Sequence, residues 1–355
     1  MIWAFIADEE RKDMGGKMAD KKPWLVDVPV KVNIWIRPEC QRKQFDVIKQ
    51  ARPSILFIQS DGGRNEQEWK IINEHRKMFD TEIDWDCKVY KIYADRNYGL
   101  YTMGAMRDKI LWAHVDRCIS LEDDQIPSVS FFRFCAELLE KYKDDERVCC
   151  ICGMNHLGVS SDVASDYFFS RQGSIWGVAL WKRTYDQFGK FMYGKDPYIM
   201  KLLKQRTKHN PIAWKRICAY AKSSEYEGHV AGDEFFIEFA MYGLNQLQII
   251  PKYNMISNIG CSESAAHSND IQMLPRGIRK IFNAKLYEMN FPLKHPEYVI
   301  PDVEYEKKRN RMMGYNYPVI FWARKVESFI LMVRYGKFKQ ALKKVKNTIV
   351  PQRES

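Results

Sequence analysis

From Val32 to Cys152, short apolar runs alternate with segments of helical spacing, and this alternation limits the possible folds more than any other feature. The runs are VNIWI (32–36), SILFIQ (54–59), KVYKIY (88–93), RCISL (117–121) and RVCCIC (147–152). Their shortness and their β-branched and aromatic content predict strands. Between them, residues 39–51, 65–79, 99–113 and 128–143 predict helices, with Phe45 and Ile48 on one face of the first and Phe131, Cys135, Leu138 and Tyr142 on one face of the last. Strands of this kind, separated by helices, form a mostly parallel sheet covered on both faces, so an α/β fold of Rossmann-like order is expected. Ligands of such sheets bind beyond the carboxyl ends of the strands. The polar clusters fall there: Arg37, Asp61, Asp95-Arg96-Asn97 and Glu122-Asp123-Asp124 each follow a strand.

The second half is less regular. SIWGVALWKRTYDQF (174–188) predicts a rigid aromatic turn leading to a helix, and 189–228 is of mixed, mainly helical character. GDEFFIEFAMYG (232–243) predicts a short helix with Asp233 at its N-cap, and LQIIP (247–251) a late strand. The expected organisation is a leader over 1–29, a catalytic domain over 30–271 and a basic helical extension over 272–355. Nine cysteines, an odd number in no regular framework, point to reduced thiols. Cys149, Cys150 and Cys152 lie in an apolar run and have no second pair at zinc spacing, so they read as a buried strand. MIWAFIADEERKDMGGK is broken by acids too early for a signal peptide, and no stretch is long enough to span a bilayer. A cytoplasmic protein is expected, or one peripheral on the cytosolic face of a membrane.

The acidic triplet is the sharpest chemical signal. Three adjacent carboxylates at the end of a buried strand repel one another, and a divalent cation offsets that repulsion. Hard oxygen ligands suit Mn2+ or Mg2+, and such a cation neutralises a departing diphosphate. A solvated acidic turn is the plainer alternative, but the place of the triplet after an apolar strand favours the metal. A net charge of +11 draws phosphates of any kind without choosing among nucleotides, nucleic acid and anionic lipid. No glycine-rich phosphate loop is present, which counts against kinases and dehydrogenases. A sugar nucleotidyltransferase would share the sheet and the metal site. A basic nucleic-acid-binding protein is a further alternative, but no recognised motif supports it, and no nucleic-acid partner is expected.

The run SLEDDQIPSVSFFRFCAELLEKY resembles the strand, acidic motif and following helix of GT-A glycosyltransferases. The likeness is to the N-acetylglucosaminyltransferase I group, whose version of the DXD motif is also Glu-Asp-Asp, and in places to bacterial family 2 enzymes. The strand ending in Arg37-Pro38, RPSILFIQSDGG, MGAMRDKILWA, CCICGMN, SIWGVALWKRTY and GDEF follow in the family's order over roughly residues 30–260. The resemblance implies a hexosyl- or N-acetylhexosaminyltransferase that moves a sugar from a nucleotide-sugar, with a UDP-sugar favoured, to a hydroxyl of a glycan or lipid-linked glycan, with inversion. It implies Asp124 as metal ligand and Glu122 and Asp123 beside the ribose and sugar. Arg37 falls to the donor side, Asp61 to the uracil ring, and Arg107 to the segment approaching the nucleotide. Glu234 matches the catalytic base, where family members usually have Asp, and Asp233 is its neighbour. Trp176 suits a wall against which a sugar stacks. His267 lies where some relatives supply another metal or phosphate contact. Asp61-Gly62-Gly63 also reads as a turn, Arg107 as a surface helix residue and Asp233 as a simple cap.

The last stretch has its own pattern. From Tyr317 to Val350 there are eight Lys or Arg and one acid, Glu327. Apolar residues recur at Trp322, Val326, Phe329, Ile330 and Val333, and again at Phe338, Ala341, Leu342 and Val345. A basic amphipathic helix of this kind lies on an anionic membrane surface or packs on the domain.

Overall fold

The computed structural model describes residues 21–187, 196–208, 210–223, 233–260 and 271–342, with only the backbone of 220–223 and 233–236. The fold is α/β. Its central sheet contains β1 (Val26–Ile34), β2 (Pro53–Ser60), β3 (Lys88–Tyr93), β4 (Arg117–Leu121), β6 (Val148–Cys152), β7 (Tyr167–Ser170), β8 (Val178–Trp181) and β9 (Leu247–Pro251), in the order β3-β2-β1-β4-β8-β6-β9-β7. β1 to β4 are mutually parallel, whereas β8 runs antiparallel between β4 and β6, and β7 antiparallel beside β9. A small ribbon pairs β5 (Gln125–Pro127) with β10 (Ile256–Asn258).

Period-2 alternation of the strands divides the core. Val28, Val30, Val32 and Ile34 of β1, with Ile119 and Leu121 of β4 and Ile151 of β6, face α1 (Pro38–Ala51), α2 (Glu66–Glu82) and α4 (Ser130–Lys141). Cys118 and Cys150 point the other way, into a cluster with Leu111 and Trp112 of α3 (Leu100–His114), Ala213 and Ile217 of α7 (Pro211–Ser223), and Ile237 and Met241 of α8 (Asp233–Gly243). Cys149, Cys150 and Cys152 are buried free thiols, as expected of a core strand.

Two expectations change. The 174–188 segment contains a strand, β8, followed by the single turn α5 (Lys182–Tyr185), and β7 was not anticipated at all. Both are four residues long, too short for periodicity to declare them. Residues beyond 271 also pack on those before them. Met289 and Leu293 belong to the main core, Tyr305 is buried against Phe168, and Glu288 accepts hydrogen bonds from the N–H groups of Val129 (3.1 Å) and Ser130 (2.8 Å) at the start of α4. The helices α10 (Val303–Met313) and α11 (Pro318–Arg334) follow, after α6 (Pro197–Arg206) and the short α9 (Arg276–Arg279). The strand pattern likewise starts inside the expected leader, since β1 begins at Val26 and Lys22 bridges to Trp85. Residues 1–20 and Val345 lie outside the described residues. No helix among the described residues is long and apolar enough to cross a membrane.

Candidate active site

The chain leaves β1 toward β2 on one side and returns through β4 on the other, so a crevice opens beyond the carboxyl ends of β1 and β4. The register pairs Val32 with Leu121, which puts the residues following both strands at one level. Arg37, ahead of α1, thereby meets the acidic turn. Its Nη1 donates to both carboxylate oxygens of Asp123 at 2.9 Å and to Oδ2 of Asp124 at 3.1 Å. Three carboxylate oxygens thus converge on one positive group.

The turn is held from several directions. The fully buried Gln44 of α1 donates from Nε2 to the carbonyls of Glu122 (2.6 Å) and Gln125 (2.7 Å). Gln125 Oε1 accepts from the N–H groups of Glu122 (3.3 Å) and Gly177 (2.8 Å), which fastens the turn to the Trp176 segment. From β10, Asn258 Nδ2 donates to Asp124 Oδ1 at 3.1 Å, and Ile259 N–H donates to the Asp124 carbonyl at 2.9 Å. Gly260 packs so closely that a Cβ there would stand 2.1 Å from Asp124 Oδ2. Burial pushes the Asp123 carboxyl up to about 6 against the opposing pull of Arg37. Burial also raises that of Asp124, with Arg37 and Asn258 opposing. The side chain of Glu122 is exposed.

The donor set is chemically suited to a hard divalent cation: two adjacent carboxylates already gathered around a positive group. Among the described residues there is no cluster of three or more His, Cys, Asp or Glu that could hold a metal. Further ligands would have to be diphosphate oxygens, water or residues beyond those described. His267 is one of the latter.

The other expected residues fall in different places. Asp61 sits after β2, and its carboxylate is filled by its own neighbourhood. Oδ1 accepts from the N–H groups of Gly62 (2.8 Å) and Tyr98 (2.9 Å), and Oδ2 from Gly99 N–H (2.9 Å) and Asn97 Nδ2 (3.2 Å). It organises the 95–99 loop. Arg107 lies mostly buried on α3, its Nε donating to Asp108 (2.6 Å) and its Nη1 to Gln59 of β2 (3.1 Å). Trp176 packs on Phe282, ring centroids 5.1 Å apart, and lines a cleft of about 240 Å³ together with Ile237, Glu238 and Met241 of α8. Asp233 and Glu234 open α8, and Glu234 precedes Glu238 by one helical turn. Gln44, Gln125, Asn258 and Gly260 were not anticipated. Only the spacing of Gln125 directly after the triplet marked any of them.

No protein-family model matches the chain, and no curated protein does. Solved structures match at a distance. The mannosyltransferase PcManGT from Pyrobaculum calidifontis, in complex with GDP-Man and Mn2+, is 13% identical over 63% of this chain and 73% of that one, with a TM-score of 0.35. GalNAc-T7, with UDP, GalNAc and Mn2+, is 10% identical over 70% of this chain and 45% of that one, with a TM-score of 0.40. Both are glycosyltransferases by name. Likenesses this remote carry nothing about what the present chain binds.

Proposed function

We propose that the chain is a GT-A-type glycosyltransferase that moves a hexosyl or N-acetylhexosaminyl group from a nucleotide-sugar to an acceptor hydroxyl with inversion. The observation that carries this reading is the meeting of Arg37 with Asp123 and Asp124 at the point where the strand order reverses. Asp124 and Asp123 would hold a divalent cation. That cation, Mn2+ or Mg2+, would neutralise the charge of the departing nucleoside diphosphate. Arg37 stands ready to share the same diphosphate once its carboxylate partners turn to the metal. Asp61 acts on the nucleotide through the 95–99 loop it holds, and a UDP-sugar is the donor to test first. Glu234 takes the proton from the acceptor hydroxyl as that oxygen bonds to the anomeric carbon and the bond to the diphosphate oxygen breaks. Asp233 and His267 remain assigned beside the base and the metal respectively.

The acceptor is a glycan or lipid-linked glycan, and α11 supplies the reason for a surface-bound one. The helix docks on the domain with Met332 buried and Phe329 half-buried, and by polar contacts in which Glu327 accepts from Arg276 N–H at 3.0 Å and Arg324 donates to the Met312 carbonyl. Val319, Trp322, Val326, Ile330 and Val333 face away from it and are exposed. Their spacing makes one apolar stripe, with Lys325 and Arg334 on the same helix and Lys337 just beyond it. The stripe fits the headgroup region of an anionic membrane, on its cytosolic face. The primary test of the reaction is thermal stability of the full chain with UDP, GDP or CMP, each with and without Mn2+, because a ligand of the folded state raises the melting temperature. A rise with one nucleotide that needs Mn2+, followed by sugar transfer from the matching donor, is expected. No response to any nucleotide with the metal present rejects the reading.

A further inference from the structure

Among the described residues, the cleft beside Trp176 is lined by three guanidinium groups, those of Arg171, Arg216 and Arg309, against a single carboxylate, Glu238. Glu238 pairs with Arg216 at 2.9 Å. Arg309 is only 6% exposed, yet its partners are neutral: Nη1 donates to Gln172 Oε1 and Nη2 to the Gly173 carbonyl, each at 3.2 Å, and Nε has no acceptor. Among the described residues Arg171 makes no side-chain hydrogen bond. A further acid, Glu306, is buried and accepts from Arg171 N–H at 2.7 Å; burial raises its carboxyl, with Arg171 and Arg309 opposing. His156 completes the wall. Burial, then Arg309 and Arg216, hold its imidazole well below the usual range, so it adds a neutral polar group.

A buried guanidinium whose hydrogen bonds all go to neutral groups, and whose Nε has none, is costly. Here the cost falls in an open cleft rather than a sealed core, where a ligand can supply the anion. The cleft is also joined to the proposed reaction site. The Gly177 N–H bond to Gln125 ties its Trp176 wall to the acidic turn, and its floor is α8, whose first turn contains Glu234. A base must abut the acceptor hydroxyl, so the space next to α8 falls to the acceptor.

We infer that this cleft binds the acceptor by an anionic substituent, a phosphate or carboxylate on the acceptor sugar, gripped by Arg309 and Arg171 with Trp176 against the ring. The acceptor part of this inference rests on the glycosyltransferase reading, whereas the anion site does not.

Isothermal titration of the full chain separates the two. Glucose 6-phosphate, glucuronate, inorganic phosphate and uncharged methyl glucoside are titrated into wild type, Arg309→Gln and the half-buried Arg171→Gln, and UDP with Mn2+ into each. At least one charged sugar is expected to bind roughly tenfold or more tighter than methyl glucoside, about 1.4 kcal/mol. Both variants should lose that preference while UDP–Mn2+ affinity changes less than twofold. A phosphate preference identifies a phosphorylated acceptor, and a glucuronate preference a uronate. The proposal is overturned if charged and neutral sugars bind alike, or if the preference survives both substitutions and so belongs elsewhere on the basic surface. It is also overturned if UDP affinity falls with anion affinity, which would give the cleft to the diphosphate. Wild-type chain that takes the anion but no nucleotide rejects the glycosyltransferase reading and, with it, the acceptor assignment alone.

Discussion

At Asp124 one carboxylate satisfies three constraints at once. Arg37 reaches its Oδ2, Asn258 its Oδ1, and Gly260 leaves no room beyond it. Asp124→Asn keeps the shape and removes the charge. It should abolish the Mn2+-dependent part of nucleotide binding, measured as the rise in melting temperature, while the unliganded protein still unfolds cooperatively. Wild-type nucleotide binding by that variant in the presence of chelator would remove Asp124 from any metal role. Gly260→Ala tests the same point from outside. Its Cβ must displace the Asp124 carboxylate, so metal-dependent affinity should fall by a factor of roughly 10, about 1.4 kcal/mol. An unchanged affinity would show that the close approach has no bearing on the site.

At the scale of elements, α1 and α8 do different work. α1 follows Arg37 and sends Gln44 under the acidic turn, where it serves two carbonyls with no other role for its amide nitrogen. Gln44→Ala leaves buried acceptors without donors, and urea unfolding should register a loss of about 2 kcal/mol. A loss below about 0.5 kcal/mol would mean that water replaces the amide. α8 lines the cleft through Ile237, Glu238 and Met241, and Glu234, assigned as base from its place in the GDEF motif, lies one turn before Glu238. Glu234→Gln should bind UDP with Mn2+ as wild type does and transfer sugar slower by a factor of roughly 10² or more. Normal transfer, with the loss found in Asp233→Asn instead, moves the role by one residue. A product of retained anomeric configuration rejects direct displacement.

For the whole molecule the question is which way α11 faces. Trp322 is 54% exposed, and Val326 and Ile330 each 57%, on one side of the helix. An apolar stripe of this length is costly in water, and the proposed membrane surface would cover it. Co-sedimentation of the full chain with anionic vesicles at low salt is therefore expected, with neutral vesicles taking up much less. Val326→Lys combined with Ile330→Lys adds charge at exposed positions and should abolish sedimentation with no drop in melting temperature. Vesicle binding that survives the pair assigns it to the general basic charge.

Much of this organisation is local and was legible without a structure. RCISL ends where β4 ends because an apolar five-residue run there meets three acids in a row. The helices around Phe45 and Leu138 follow from spacing alone, and the place of the polar clusters follows from the rule that ligands bind beyond the carboxyl ends of parallel strands. The tail's apolar stripe is visible in the order of its residues, as is the acidic turn that a cation would suit. What remained hidden depends on contacts across long separations. β7 and β8 are four-residue runs whose strand state comes from pairing with β9, β4 and β6. Gln44 and Asn258 look like solvated polar residues until the fold places them 78 and 134 positions away from their partners. Asp61 seems open to a ligand in sequence, yet the returning 95–99 loop takes its acceptor positions. The cleft draws Arg171, Arg216 and Arg309 from three separate segments. Periodicity and turn chemistry act between near neighbours and so are written in the order of residues, whereas burial, orphaned hydrogen-bonding groups and the sum of nearby charges exist only once distant segments have packed.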